Sequence, residues 1–478
     1  MSLALLLTGG YAVADAYDIT PGVLTTRPRQ AEPEPYPSVS GSAAPAEALP
    51  TWDASAPLPS AGDVKQAMDA LAADPRVSGQ ASVTVLDADT GQEIASRDAG
   101  TGRTPASNMK VVTAVVALRV LGPDATLPTS AKLDGKTMYL VGGGDTMLAA
   151  GEGDPSAVKG RAGLADLADA AAKRAKEEGA TSIDLVVDSS LFDGPLYQPE
   201  VPETDRSYVM EMRPIAVMQS RNASNSYTPD PDLAAAQAFA EALEQRGIAV
   251  GSVSRGEAPG SAEDAGEVRS APVRDLVDFA LTESDNTTSD ALGHLIAVKK
   301  GEKATFEGGG AATLAELKSM GVPTDSVTIA DNSGLSPSNR LTTTLLVNLL
   351  RRAYDCDGCE LQGLPSGLPV SAFNGTLDDR YLGTDAAGKV RAKTGTLTTA
   401  TSLSGYLVTS GGRVLIFSVI VDNVPEGQFA ESRAAMDEFV VKLEGLGAGQ
   451  SGTGGQETSG GQDGDGGSAG DGGSADDG

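Results

Sequence analysis

The chain has 478 residues, 40% of them hydrophobic, enough for two or three domains with substantial cores. Its net charge of −29 offers no basic surface to neutralise phosphates, which excludes nucleic acid as a main partner. One histidine, His294, and two cysteines, Cys356 and Cys359 in "DCDGCE", do not make an ordinary zinc site, so no metal is expected. Those cysteines read as a local disulfide, the expectation outside the cytoplasm, or as two free thiols in a loop.

Leu3 to Ala14 is an apolar run too short for a membrane span. It fits a signal peptide or signal anchor over residues 1–19, so export to the cell envelope is expected, by secretion or on an anchor. Residues 20–60 are rich in Pro, Ala and Glu and read as a disordered linker. "VKQAMDALAADP" then has helical periodicity, and "ASVTVLDADTGQEIASRDA" reads as two strands around a turn at Asp89–Gly91. "TPASNMKVVTAVVAL" starts a buried helix at Ser107, with Lys110 one turn later on the same face.

Between Leu133 and Gly260 the pattern changes. "KTMYLVGGGDTML" and "TSIDLVVDSSLF" are strand-like, while "GLADLADAAAKRAKEEGA" and "DLAAAQAFAEALEQRGIAV" are helices closed by glycine. This reads as an α/β domain inserted at 133–260. Its "GGG" lacks the lysine and helix of a phosphate loop, so no nucleotide cofactor is expected. Farther on, "VRAKTGTLTTATSLSGYLVTSGGRVLIFSVIVDN" gives three strands and "FAESRAAMDEFVVKLEGL" a closing helix. Strands from both ends of 61–132 and 261–446 thus build one antiparallel sheet with helices against it, an α+β fold. Residues 447–478, rich in Gly, Ser and Asp, form a disordered acidic tail.

Taken alone, Ser107 and Lys110 are better read as a helix cap and a solvent lysine. Ser156 and Lys159 in "DPSAVKGR" share the spacing by chance. Company changes the weighing: Ser284-Asp285-Asn286 and Lys393-Thr394-Gly395-Thr396 follow in the order SxxK, SxN, KTG. That order, with "PASNMKVVTAVVALRVLG", "LVGGGDTML", "DSSLFDGP" and "DNSGLSPSNRLT", resembles the D-alanyl-D-alanine carboxypeptidase/endopeptidase family. These are low-molecular-mass penicillin-binding proteins with a large insert after SxxK, and the opening segment is similar to actinobacterial members. Thr146 stands where the family usually has proline after "GGGD".

The resemblance implies a serine β-lactamase/penicillin-binding transpeptidase-like domain. It implies a serine-type carboxypeptidase, DD-endopeptidase or both, acting on peptidoglycan stem peptides and inhibited by penicillins. Ser107 would be the nucleophile, Lys110 its base, and Ser284 a proton relay. Asn286 would hold substrate or orient Lys110, while Lys393 would supply charge. Thr394 and Thr396 would bind the terminal carboxylate, Gly395 would let the strand approach, and the N–H groups of Ser107 and Thr396 would form the oxyanion hole. A β-lactamase is the first alternative, though no ExxLN glutamate motif lies between Asn286 and Lys393. An inert wall-binding relative is the second, but every motif residue is intact.

Overall fold

The structure is a computed structural model that describes residues 55–447. The expected export segment (1–19), nearly all of the linker (20–60) and the acidic tail beyond Gly447 lie outside the described residues. In chain order, helix α1 (Ala61–Ala73) precedes strands β1 (Gln80–Asp87) and β2 (Glu93–Arg97). A 3₁₀ turn (Ala106–Asn108) runs straight into helix α2 (Met109–Leu121). Then come β3 (Pro128–Asp134), β4 (Thr137–Gly142) and β5 (Asp145–Leu148), followed by α3 (Leu164–Glu177) and β6 (Ser182–Asp188). Next are β7 (Ile215–Val217), α4 (Pro231–Gln245), β8 (Ala249–Arg255) and β9 (Glu263–Arg269). Helices α5 (Val273–Thr282), α6 (Asn286–Lys300), α7 (Phe306–Ser319) and α8 (Thr343–Tyr354) follow. Strands β10 (Val390–Leu397), β11 (Ala400–Val408) and β12 (Val414–Asp422) lead to the closing helix α9 (Phe429–Gly445).

The first sheet has the order β10-β11-β12-β1-β2 and is antiparallel throughout. The two ends of the described chain meet in it, with β1 and β12 in register from Gln80↔Asp422 to Asp87↔Leu415. Every residue of β12 is buried, because both sheet faces are covered. Leu415, Phe417, Val419 and Val421 pack with Val64, Met68, Met436 and Phe439 of α1 and α9. Ile416 and Ile420 alternate onto the other face, in the core that α2 and α5 to α8 share. Each such side chain, once buried, stabilises the fold by about 1.5–3 kcal/mol. Strand β10 stays at the sheet edge, where residues 369–371 pair only with its Val390–Ala392 end.

A second sheet, β8-β6-β4-β3-β9, packs on α3 and α4 through Leu140, Ile183, Leu185, Leu167, Ala171 and Phe239. Strands β4, β6 and β8 are mutually parallel, as the intervening helices require. This sheet runs from Pro128 to Arg269, wider than the 133–260 expected for the insert. Strand β9, "EDAGEVR", buries only Ala265, so its pattern carries too little apolar signal to be seen in advance. Cys356 and Cys359, in the loop after α8, are joined as a disulfide with Cα atoms 5.5 Å apart.

His294 sits in the core, 1% exposed, its ring 4.9 Å from those of both Phe192 and Phe306. Nδ1 lies 2.8 Å from the Asp290 carbonyl, which makes it the protonated nitrogen, and Nε2 has no partner among the described residues. Burial pulls its pKa down to about 4, while the Asp290 carbonyl works weakly the other way. The unfolded chain therefore binds a proton that the folded chain refuses. Stability is present above the unfolded value and is lost as pH falls from about 6.5 towards 4, by about 3 kcal/mol over the whole window. Urea melts at pH 7 and near pH 4.5 should show a smaller acid loss in His294→Leu than in the wild type. Equal losses would show that His294 does not sense acid.

Candidate active site

Ser107 lies in the 3₁₀ turn that opens α2, one residue after Ala106, whose φ of 48° is left-handed and rare for a residue with a Cβ. The loop 331–339 presses on this turn. Gly334 has φ 86°, and an ideal Cβ there would lie 1.9 Å from the Ala106 carbonyl oxygen, so only glycine fits. The loop is knitted by Asp331, which accepts from the Gly334 N–H at 2.7 Å, the Ser336 N–H at 2.6 Å and Asn339 Nδ2 at 2.8 Å. Helix α2 is buried almost all round, from Met109 to Leu118. Lys110, one turn after Ser107, is carried inside with it and is 1% exposed.

The Lys110 ammonium donates to Ser107 Oγ at 3.0 Å, Asn286 Oδ1 at 2.6 Å and the Ser333 carbonyl at 2.6 Å. Its three donors are thereby satisfied. Burial lowers its pKa to about 8, against the attraction of Asp290, Asp331 and Asp285. Burial likewise pushes the Asp290 carboxyl well above its usual range, with repulsion from Asp331 adding to it. Asp285 caps α6 by accepting the Thr288 N–H at 2.7 Å, so Asn286 is the first residue of that helix.

Lys393, on β10, is fully buried and donates to Ser284 Oγ and to the Thr394 carbonyl, both at 2.9 Å. Burial, then the nearby Lys110 and Arg380, pushes its pKa well below the ordinary lysine value. Ser284 has φ 57°, held between α5 and α6. Thr394 Oγ1 lies 2.7 Å from Thr376 Oγ1. Gly395 faces the Ser107 turn: an ideal Cβ would lie 2.2 Å from Ser402 Oγ, 2.8 Å from the Pro105 carbonyl and 3.0 Å from Ser107 N. Thr396 is exposed and faces the cleft.

Ser107, Ser284, Asn286 and Thr396 line one cleft of about 350 Å³, with Asp205, Tyr208, Gly334 and Leu335 among the other walls. Lys110 and Lys393 stand behind it. A larger, mostly apolar cavity of about 510 Å³, lined by Leu127, Val141, Leu191 and Leu295 with Asp188, Ser190 and Lys299, lies elsewhere and contains none of the SxxK, SxN or KTG residues. The candidate site is therefore the smaller cleft. The repeated spacings stay apart from it. Ser156 is exposed and donates to Asp154, and Lys159 lies over the Phe279 ring at 4.5 Å. Arg340 donates to the Pro337 and Asn339 carbonyls and serves its own loop. Sequence reasoning did not single out Thr376, Asp290, Tyr208 or the Ser333 carbonyl. Ser333 lies in the "DNSGLSPSNRLT" motif, but nothing in the sequence marks its carbonyl, and the places of the others depend on how α6 and the loops pack onto α2 and β10.

The D-Ala-D-Ala carboxypeptidase 3 (S13) family matches residues 64–230 and 219–443. Carboxypeptidase DacB of Mycolicibacterium smegmatis is 34% identical over 412 residues, covering 83% of this chain and 87% of that protein. Carboxypeptidase Rv3627c of Mycobacterium tuberculosis is 33% identical over 413 residues, covering 83% and 86%. Among solved structures, penicillin binding protein 4 from Haemophilus influenzae superposes with a TM-score of 0.65 at 20% identity, covering 80% of this chain and 98% of that one. The α+β architecture is thus that of the penicillin-binding proteins. With a family match from residue 64 to residue 443 and relatives at 33–34% identity over most of their length, the chain belongs to the D-Ala-D-Ala carboxypeptidase S13 family.

Proposed function

We infer that this serine-type D-Ala-D-Ala carboxypeptidase works through an acyl-enzyme on Ser107, on peptidoglycan stem peptides that end in D-Ala-D-Ala or are cross-linked. The observation that carries the reading is the contact of a buried, pKa-lowered Lys110 with Ser107 Oγ at 3.0 Å. With a pKa near 8, about one tenth of Lys110 is neutral at pH 7, enough for a general base. In this reading Lys110 takes the Ser107 proton as Oγ attacks the carbonyl carbon of the penultimate D-Ala. The N–H groups of Ser107 and Thr396 receive the developing oxyanion. The C–N bond breaks as Ser284 passes its proton to the leaving amine of the terminal D-Ala, and the proton that Lys110 took from Ser107 restores Ser284 and leaves Lys110 neutral. Water then attacks the ester, giving up a proton to Lys110, which returns it to Ser107 Oγ as the ester C–O bond breaks.

Lys393 takes the role of charge partner. Burial, Lys110 and Arg380 hold its pKa low, and a substrate carboxylate at Thr394 favours its cationic form. The cation then stands beside Ser284 and repels the charged form of Lys110. Carboxypeptidase and endopeptidase action share these steps. Peptidoglycan lies outside the cytoplasmic membrane, so the enzyme acts there. We propose that residues 1–19 export it, by secretion or as an anchor, and that 128–269 form the inserted domain. Among the described residues no helix is long and apolar enough to cross a membrane.

Penicillins carry a carboxylate and a strained amide with a tethered leaving group, so they should trap Ser107. Intact mass after incubation with a labelled penicillin should show one stable adduct on the wild type and none on Ser107→Ala. Rapid penicillin hydrolysis without an adduct would favour a β-lactamase instead. Neither adduct nor hydrolysis would point to an inert relative.

A further inference from the structure

Four consecutive residues at the start of α6 are held by the inserted segment as well as by the sheet domain, where Lys110 donates to Asn286 Oδ1. Asn286 Nδ2 donates to the Tyr208 carbonyl at 3.0 Å. The Met210 N–H donates to Thr287 Oγ1 at 3.1 Å, and Thr287 Oγ1 lies 3.2 Å from Tyr227 OH. Gln219 Nε2 donates to Asp285 Oδ1 at 2.7 Å and to Thr288 Oγ1 at 3.2 Å. Gln219 is 1% exposed, and its Oε1 has no partner among the described residues, so the amide is placed for its donors.

The backbone is bent to put it there. Met218, Gln219 and Ser220 have φ of 45°, 56° and 53°, three side-chain-bearing residues in succession in the left-handed region. The turn is closed by the Arg221 N–H on the Met218 carbonyl at 3.3 Å and by the Thr228 N–H on the Ser220 carbonyl at 2.8 Å. A conformation this costly persists only where its surroundings fix it.

We propose that Gln219, reaching from the inserted segment, is a positioning residue that locks the Asp285 cap and so holds Asn286 against Lys110. The insert is then part of the catalytic machinery, whatever else it binds. This rests on the reading of Ser107 and Lys110 given above. The groups that face Lys110 are Asp285 and Asp290 of α6, Asp331 of its loop and Lys393 of β10. Of these, α6 alone is held by Gln219. A loosened α6 start admits water to Lys110, undoing the burial that keeps its proton weakly held.

The test is the acylation rate of the full chain by a penicillin, per active site titrated, as a function of pH. Gln219→Met keeps the volume and removes both donors. It should lower the first-order acylation constant roughly tenfold, the scale of one lost hydrogen bond to a charged group. Pre-acylation binding should hardly change, and the acid limb should move to higher pH. A merely structural role would reduce the number of titrated sites and leave their rate and pH limb unchanged, which would overturn the proposal. If Gln219→Met does not fold, Thr288→Val, which removes one acceptor and spares the turn, should give a smaller shift of the same sign. Absence of acylation in the wild type would instead overturn the reading of Ser107, and this inference with it.

Discussion

Lys110→Met should abolish acylation of Ser107 by penicillin, lowering the rate on the order of a thousandfold or more, while the chain stays folded. Methionine keeps the length and the apolar stem that α2 buries, and removes only the ammonium. A surface lysine would lose nothing on this change, but Lys110 is 1% exposed and touches Ser107 Oγ. The result also separates two routes for the proton. If the pair Lys393 and Ser284 were the base in acylation, Lys110→Met would keep much of its rate. Lys393 Nζ reaches Ser284 Oγ and the Thr394 carbonyl, whereas Lys110 Nζ bonds Ser107 Oγ itself. Burst kinetics or intact mass against time would decide, and a rate within tenfold of wild type would remove Lys110 from the mechanism.

The motif residues were legible because each lies where local sequence fixes local structure. Ser107 and Lys110 share a helix face by spacing alone, and "KTGT" is followed by the β-prone runs "TSLSGYLV" and "VLIFSVIVD" with which its strand forms a sheet. Their order along the chain supplied what no single motif could. The sheet built from both chain ends was legible too, since "VLIFSVIVD" has the continuous apolar run of a strand covered on both faces. Less of the support was readable. Gln219 stands in "MQSRN", a stretch with no apolar period, and its importance lies in a left-handed turn that needs tertiary contacts. The Ser333 carbonyl is a backbone atom with no residue-type signal at all. Thr376 reaches Thr394 through a loop whose Gly375, at φ 57°, has no room for a Cβ against the Thr282 carbonyl 2.6 Å away. Thus the groups proposed to react announce themselves in sequence, and the groups that aim them do not.

Gly395→Ala should cost more in catalysis than in stability. Its Cβ would lie 2.2 Å from Ser402 Oγ, 2.8 Å from the Pro105 carbonyl and 3.0 Å from Ser107 N. Ser402 can rotate only by giving up its bonds to the Pro105 carbonyl at 2.6 Å and to Asn108 Nδ2 at 2.5 Å. The other two contacts are backbone of the Ser107 turn itself. Relief must therefore come by moving β10 and that turn apart, which separates the Ser107 and Thr396 N–H groups assigned to the oxyanion. Overpacking of this kind costs about 1–3 kcal/mol of stability. A displaced oxyanion donor costs about a hundredfold or more in rate. Gly405→Ala provides the control: its Cβ would lie 2.1 Å from the Arg391 carbonyl, between β10 and β11, without touching the Ser107 turn. Thermal melts and acylation rates per titrated site should show both variants destabilised, with Gly395→Ala far slower in acylation than Gly405→Ala. Equal rates in the two variants would mean that Gly395 serves sheet packing and that the approach of β10 to Ser107 contributes nothing to the reaction.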